Sequence, residues 1–150
     1  MMIVLDTNVL VRYVTQDDPE QAGEASQLIE TYDSVPNSML IPNEVIIETV
    51  WVLESAYKRA RIEIQTFLHQ MAQVESFTFQ DDNLVREAIQ AFGATPLDMA
   101  DILLAFLARK NKANLVTFDK ELRDTFPQYT ATPTEAIRLA ESQEERGTTS

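Results

Sequence analysis

The chain has 150 residues, 45% of them hydrophobic, which is enough to bury the core of one domain. Its 12 basic residues face 24 acidic ones, and the net charge of −12 argues against non-specific adhesion to nucleic acid through a broad basic surface. The absence of cysteine removes disulfides, thiolate zinc sites and cysteine nucleophiles, one histidine supports neither a triad nor a histidine-rich metal site, and three glycines cannot write a P-loop or a dinucleotide fingerprint.

The first element in the pattern is a short apolar strand, Met2 to Leu5, which ends at Asp6 and passes into a short helix through Val14. Asp18-Pro19-Glu20 is an N-cap followed by proline at the first helical position, and Ala22, Ala25, Leu28, Ile29 and Tyr32 recur behind it at helical spacing. After a turn over Ser34 to Asn37, Met39-Leu40-Ile41 is a second strand. Pro42-Asn43 caps a long apolar helix, Glu44 to about Lys58. A third helix covers Ile62 to Gln73 and contains His69, expected to be a partly exposed helix residue. Phe77-Thr78-Phe79 is a short third strand.

Leu84, Val85, Ala88, Ile89 and Phe92 make the next amphipathic helix, closed by Gly93. Thr95-Pro96-Leu97-Asp98 predicts a capped helix start with Asp98 at the third helical position, and that helix runs to about Asn111. The apolar run Asn114 to Phe118 is a fourth strand and ends at Asp119, as the first ends at Asp6. Thr132-Pro133-Thr134-Glu135 opens a last helix, and residues 141–150, without apolar side chains, are expected to form a polar, disordered tail behind a domain over 1–140. Alternation of strand and helix favours an α/β fold with a parallel sheet and helices on both faces. No apolar run approaches about 18 residues and no basic-then-apolar leader opens the chain, so a cytoplasmic protein without a membrane partner is expected.

Two strands each delivering an aspartate to one edge of a sheet form a functional pattern, because ligands bind at the carboxyl ends of parallel strands. Each alone is also explained as a helix N-cap. Glu48 lies in Val45 to Leu53, apolar on nearly every side, and needs either a salt bridge or a cation for its charge. Asp98 and Asp101 stand at i, i+3 on one helix face; Asp98 suits the helix start, whereas Asp101 lies among Met99, Ala100, Ile102, Leu103 and Leu104 and needs a partner. Asp6, Glu48, Asp101 and Asp119 together would hold cations or take up protons, since unit charges about 4 Å apart repel by roughly 4 kcal/mol at an effective dielectric near 20. All-oxygen ligation selects Mg²⁺ or Mn²⁺, and such ions activate water for attack on phosphodiesters.

At these residues the chain resembles the PIN-domain family, and within it the VapC-like toxin ribonucleases of toxin–antitoxin pairs. The segments that carry the likeness are Leu5-Asp6-Thr7-Asn8-Val9-Leu10, Glu48-Thr49-Val50-Trp51-Val52-Leu53, Asp98-Met99-Ala100-Asp101 and Thr117-Phe118-Asp119-Lys120-Glu121-Leu122, in this order over about 1 to 137. The resemblance implies a three-layer α/β/α sandwich with a five-stranded parallel sheet, and Mg²⁺- or Mn²⁺-dependent hydrolysis of RNA. By position it implies catalytic and metal-binding Asp6, Glu48, Asp101 and Asp119, with Asn8, Thr117 and Asp98 as auxiliaries. It also implies a small antitoxin partner; the apolar helices Val45 to Leu53 and Ile102 to Leu107 offer surface for that partner and for a homodimer, or are core on two sides. Arg12, Lys58, Arg59, Arg61, Lys110, Lys112, Lys120 and Arg123 either touch phosphates or are ordinary surface charges. A non-catalytic PIN-like RNA- or protein-binding module and a haloacid-dehalogenase-like phosphatase are the alternatives; the second wants an Asp where Asn8 stands.

Overall fold

The computed structural model describes residues 2–148, the side chain of residue 148 excepted. The chain divides into two compact units, Met1–Ala94 and Thr95–Ser150. Each is an α/β arrangement built on parallel strand pairs. None of the described helices is long and apolar enough to cross a membrane.

In the first unit the elements are β1 (Ile3–Val4), α1 (Thr7–Thr15), α2 (Pro19–Tyr32), β2 (Met39–Ile41), α3 (Asn43–Ser55), α4 (Arg61–Ala72), β3 (Phe77–Phe79) and α5 (Asp82–Ala94). The sheet order is β1-β2-β3, all parallel, with Ile3 opposite Met39 and Ile41 opposite Phe79. Parallel neighbours need a crossover, which here is helical each time. α1 and α2 carry the chain from β1 to β2, and α3 and α4 carry it from β2 to β3. Met39 and Ile41 are fully buried and Phe77 and Phe79 nearly so, which gives the sheet its core face. Asp18 caps α2 by accepting from the Gln21 amide at 3.1 Å, with Pro19 next, as the sequence predicts.

The second unit contains α6 (Met99–Lys110), β4 (Leu115–Val116), α7 (Lys120–Thr125), a 3₁₀ turn over Pro127–Tyr129, β5 (Thr130–Ala131) and α8 (Pro133–Thr148). β4 and β5 pair in parallel, Leu115 opposite Thr130, and the Thr117 amide extends the ladder by donating to the Ala131 carbonyl at 2.9 Å. Phe106, Phe126 and Tyr129 form an aromatic cluster with ring centroids 5.3 to 6.2 Å apart, inside the range where edge and offset contacts are favourable.

Several expectations change. The five strands exist, but they pair as three and two rather than in one five-stranded sheet. β1 and β4 are two residues long, and their ladders are with β2 and β5. α3 stops at Ser55 instead of reaching Lys58, whose φ of 52° is left-handed and cannot continue a right-handed helix. Gly93 lies within α5 instead of ending it. α6 begins at Met99, so Asp98 is the N-cap residue and not the third helical position; its side chain makes no capping bond. α8 stays helical through Thr148, with residues 141–147 exposed, and the last two residues of the expected tail lie outside the described ones.

Thr49 on α3 is 1% exposed and its hydroxyl oxygen has no hydrogen-bond partner. Burying an unpaired hydroxyl costs more than burying a methyl group of the same shape. Thr49→Val is therefore expected to gain about 1 kcal/mol, a rise of roughly 2–4 °C in melting temperature for a chain of this size. Unchanged or lower melting by calorimetry would show that the hydroxyl has a partner in solution.

Candidate active site

In the first unit the acids are Asp6 and Glu48. Asp6 follows β1 in extended conformation (φ −84°, ψ 160°) and caps α1, its Oδ1 accepting from the Thr7 amide at 2.7 Å. Thr7 is 3% exposed, and its hydroxyl donates to Glu48 Oε2 at 3.1 Å. One threonine thus holds both carboxylates, through its amide and its hydroxyl. The sequence points to Asn8 as the auxiliary residue and not to Thr7; the position of Thr7 between Asp6 and Asn8 is the signal it offers for this role. Asn8 is exposed and lines a hollow of about 430 Å³ between α1 and α2, beside Arg12, Gln21 and Glu24.

Glu48 was expected to be shut away from solvent, and it is exposed. The reason is the helical stripe Glu44, Glu48 and Trp51, which the core does not cover: Trp51 is 65% exposed. The core contacts of α3 come from Val45, Ile46, Thr49, Val50 and Leu53 on the other side. Glu48 is thus an accessible carboxylate steadied by a buried hydroxyl, and it needs no salt bridge.

In the second unit the acids are Asp98, Asp101 and Asp119. Asp119 follows β4 and caps α7, its Oδ1 accepting from the Leu122 amide at 3.1 Å. Its own amide donates to Thr117 Oγ1 at 3.1 Å, and the Thr117 carbonyl accepts from Arg123 Nη1 at the same distance. Thr117 therefore fixes the turn that presents Asp119. Asp101 lies in the first turn of α6, half-buried. Burial first, then the like charges of Asp98 and Asp119, push its carboxyl above the usual carboxylate value.

That is the electrostatic signature of a place that lacks positive charge, and a hard divalent cation fits it chemically. In both strand-end aspartates only Oδ1 is taken by the cap. Capping and ligation are then compatible for the same side chain. Among the described residues, no group of three or more Asp, Glu or His side chains is close enough to hold one metal ion.

Most of the flanking cations are engaged by neighbouring groups. Arg12 bonds Asp17 at 3.2 Å, Tyr57 at 2.8 Å and Gln21 at 2.7 Å, and Tyr57 in turn donates to Asp17 at 2.6 Å. That last bond, with one from Thr15, lowers the Asp17 carboxyl to about 2. Arg59 pairs with Glu63, Arg61 lies 3.7 Å over the Phe92 ring and donates to the Phe92 carbonyl, Lys120 pairs with Asp124, and Arg123 holds Thr117. Lys58, Lys110 and Lys112 are exposed.

A carboxyl raised in the folded state binds its proton more tightly there than in the unfolded chain. Its contribution is complete below the ordinary value of 3.8 and is lost as pH rises through the folded value. Asp101→Asn is therefore expected to melt above the parent at pH 7 and level with it near pH 3. A variant that is less stable at pH 7 would mean that Asp101 already has a compensating partner.

The PIN-domain profile matches residues 3–125. The chain is 29% identical over 109 residues to a protein named VapC ribonuclease from Aquifex aeolicus (strain VF5), a match covering 73% of this chain and 80% of that one. No solved structure matches it significantly.

Proposed function

This chain belongs to the PIN-domain family, and from that premise we propose that it is a ribonuclease dependent on Mg²⁺ or Mn²⁺ and the toxin of a type II toxin–antitoxin pair. The relative named VapC ribonuclease supports the substrate class. The observation that carries the chemistry is Asp101, half-buried beside two further aspartates with its proton affinity raised.

In this reading Asp6, Glu48, Asp101 and Asp119 are the metal-binding carboxylates, and Asp98 adds negative potential at Asp101. When bound, the ion supplies a Lewis acid for the phosphoryl oxygen and lowers the pKa of water. The chain's own residues do the positioning. The Thr7 amide and hydroxyl orient Asp6 and Glu48, so their remaining oxygens keep fixed directions. Thr117 and the Leu122 amide do the same for Asp119. Both aspartates are also at helix N-termini, whose partial positive charge offsets part of their own.

If the acids bind a divalent ion, Mn²⁺ at a hundredfold excess over Kd is expected to stabilise the fold by about 2.7 kcal/mol. Asp6→Asn and Asp101→Asn are expected to fold and to lose RNA cleavage together with that metal-dependent stabilisation, whereas Glu44→Gln should stay active. An active Asp6→Asn enzyme, or no melting shift with millimolar Mn²⁺, would overturn the assignment.

The partner proposals draw on exposed apolar side chains: Trp51 on α3, and Leu104 and Leu107 on α6, each about half exposed or more. Such residues suit contact with a second copy of the chain and with an antitoxin helix. An antitoxin arginine would also satisfy the acidic groups that otherwise bind metal. Light scattering at micromolar concentration is expected to show a dimer, and a strictly monomeric species removes that proposal. Pull-down from native cells is expected to recover a small protein with a basic tail; its absence would leave the ribonuclease without support for a toxin role.

A further inference from the structure

Basic charge is scarce in this chain, yet residues 102–118 contain Arg109, Lys110 and Lys112 and no acid. In the second unit a hollow of about 670 Å³ is lined by Arg109, Lys112, Ala113, Asn114, Gln128 and Tyr129. Its volume lies within the usual range of small-ligand sites. The lining has two cations, two amides, a phenol and no carboxylate. It lies at the amino ends of β4 and β5, whereas Asp119 follows the carboxyl end of β4.

Arg109 is held in place. Its guanidinium lies 4.3 Å over the Phe106 ring and 5.8 Å over Tyr129, whose hydroxyl it also bonds. Phe106, Tyr129 and Phe126 pack together, so the aromatic cluster serves as the mount for that guanidinium. A planar fork fixed in this way loses little further freedom on binding a phosphate. Lys112 lies next to it at a φ of 53°, left-handed backbone that glycine adopts more easily than lysine. The ordinary role of basic residues here is to offset the negative end of α6. That role does not explain the hollow or the amides of Asn114 and Gln128, which suit ribose hydroxyls and base edges.

We propose that this hollow is an RNA-binding exosite, in which Arg109 and Lys112 grip a phosphodiester of single-stranded RNA and Asn114 and Gln128 bond the adjoining nucleotide. It rests on the ribonuclease reading. Arg109 is eight residues beyond Asp101 on α6, about 12 Å along the axis at 1.5 Å per residue. The exosite therefore contacts a part of the strand away from the bond to be cut. It explains how a chain of charge −12 retains RNA, through one local cluster of cations rather than a basic surface.

The test is binding of a labelled single-stranded RNA without added metal, followed by anisotropy across a salt series. Lys112→Gly removes the charge while relaxing the backbone, so its melting temperature should not fall, and lost binding cannot be ascribed to unfolding. It is expected to weaken binding several-fold and to lower the slope of log K against log salt by about 0.7, one single-strand phosphate contact. Arg86→Gln, an equal loss of charge on α5, is expected to leave both unchanged. An unaltered slope in Lys112→Gly, or the same loss in Arg86→Gln, overturns the exosite. Binding of a polyglutamate peptide, dependent on Lys112, in place of RNA would also overturn it. Cleavage with Mn²⁺ is scored separately. RNA binding that depends on Lys112 without cleavage keeps the exosite and removes the ribonuclease reading, and cleavage with binding indifferent to Lys112 does the reverse.

Discussion

Two carboxylates about 4 Å apart repel by roughly 4 kcal/mol at an effective dielectric near 20, a large share of the roughly 5–15 kcal/mol that holds a domain folded. Each acid at a strand end or in a helix therefore needs its own structural means of carrying its charge. Asp6 and Asp119 are each placed at the start of a helix, where an amide donor and the helix dipole favour negative charge. Glu48 keeps its solvent and takes a hydroxyl bond from Thr7. Asp101 stands in the first turn of α6, where the dipole favours it, but burial and the like charges of Asp98 and Asp119 outweigh that, and its proton is held more tightly as a result. The energetic tension of the acidic groups is thus concentrated on one residue.

Strand-to-helix junctions were the most legible part of the sequence, because apolar runs ending in Asp, and Asp-Pro before a periodic segment, specify both element type and boundary. Asp18-Pro19 opens α2 where expected, and both strand-end aspartates open helices. The environment of Glu48 was not legible. A nonamer with one charge reads as buried all round, and only the fold shows that its single tryptophan faces outward. Pro96 suggested a helix start three residues too early, since Thr95 and Leu97 form a local turn first, the Leu97 amide donating to Thr95 Oγ1 at 3.4 Å. α7 and β5 left no periodic signal at all: one is six residues long and the other two. Their positions follow from pairing with β4 and from the aromatic cluster, which are non-local.

Charge also has a geography that totals conceal. Arg12, Arg59, Arg61, Lys120 and Arg123 are tied to neighbouring side chains or carbonyls and serve the fold. Arg12 is the clearest case. It joins α1 to α2 through Gln21 and to the segment after α3 through Tyr57, while bonds from Tyr57 and Thr15 hold Asp17 ionised to unusually low pH. A net charge of −12 therefore conceals how many of the few cations serve the fold.

A helix cap and a metal ligand ask different things of the same side chain. Capping needs an oxygen at the right distance from an amide, and asparagine, serine or aspartate provides it about equally well. Ligation of a hard cation favours the full negative charge. At Asp6 and Asp119 the cap uses Oδ1 and would be satisfied by any of these residues, so the capping bond itself does not require a carboxylate, although the helix dipole favours one. Asp101 sharpens the point from the other side. It makes no cap, and its charge is opposed by burial and by two neighbours, so for stability alone a neutral side chain would serve better there. Charges that the capping bonds do not require at two positions, and that burial and like charges oppose at a third, are what support the proposal of a metal-binding role for these acids.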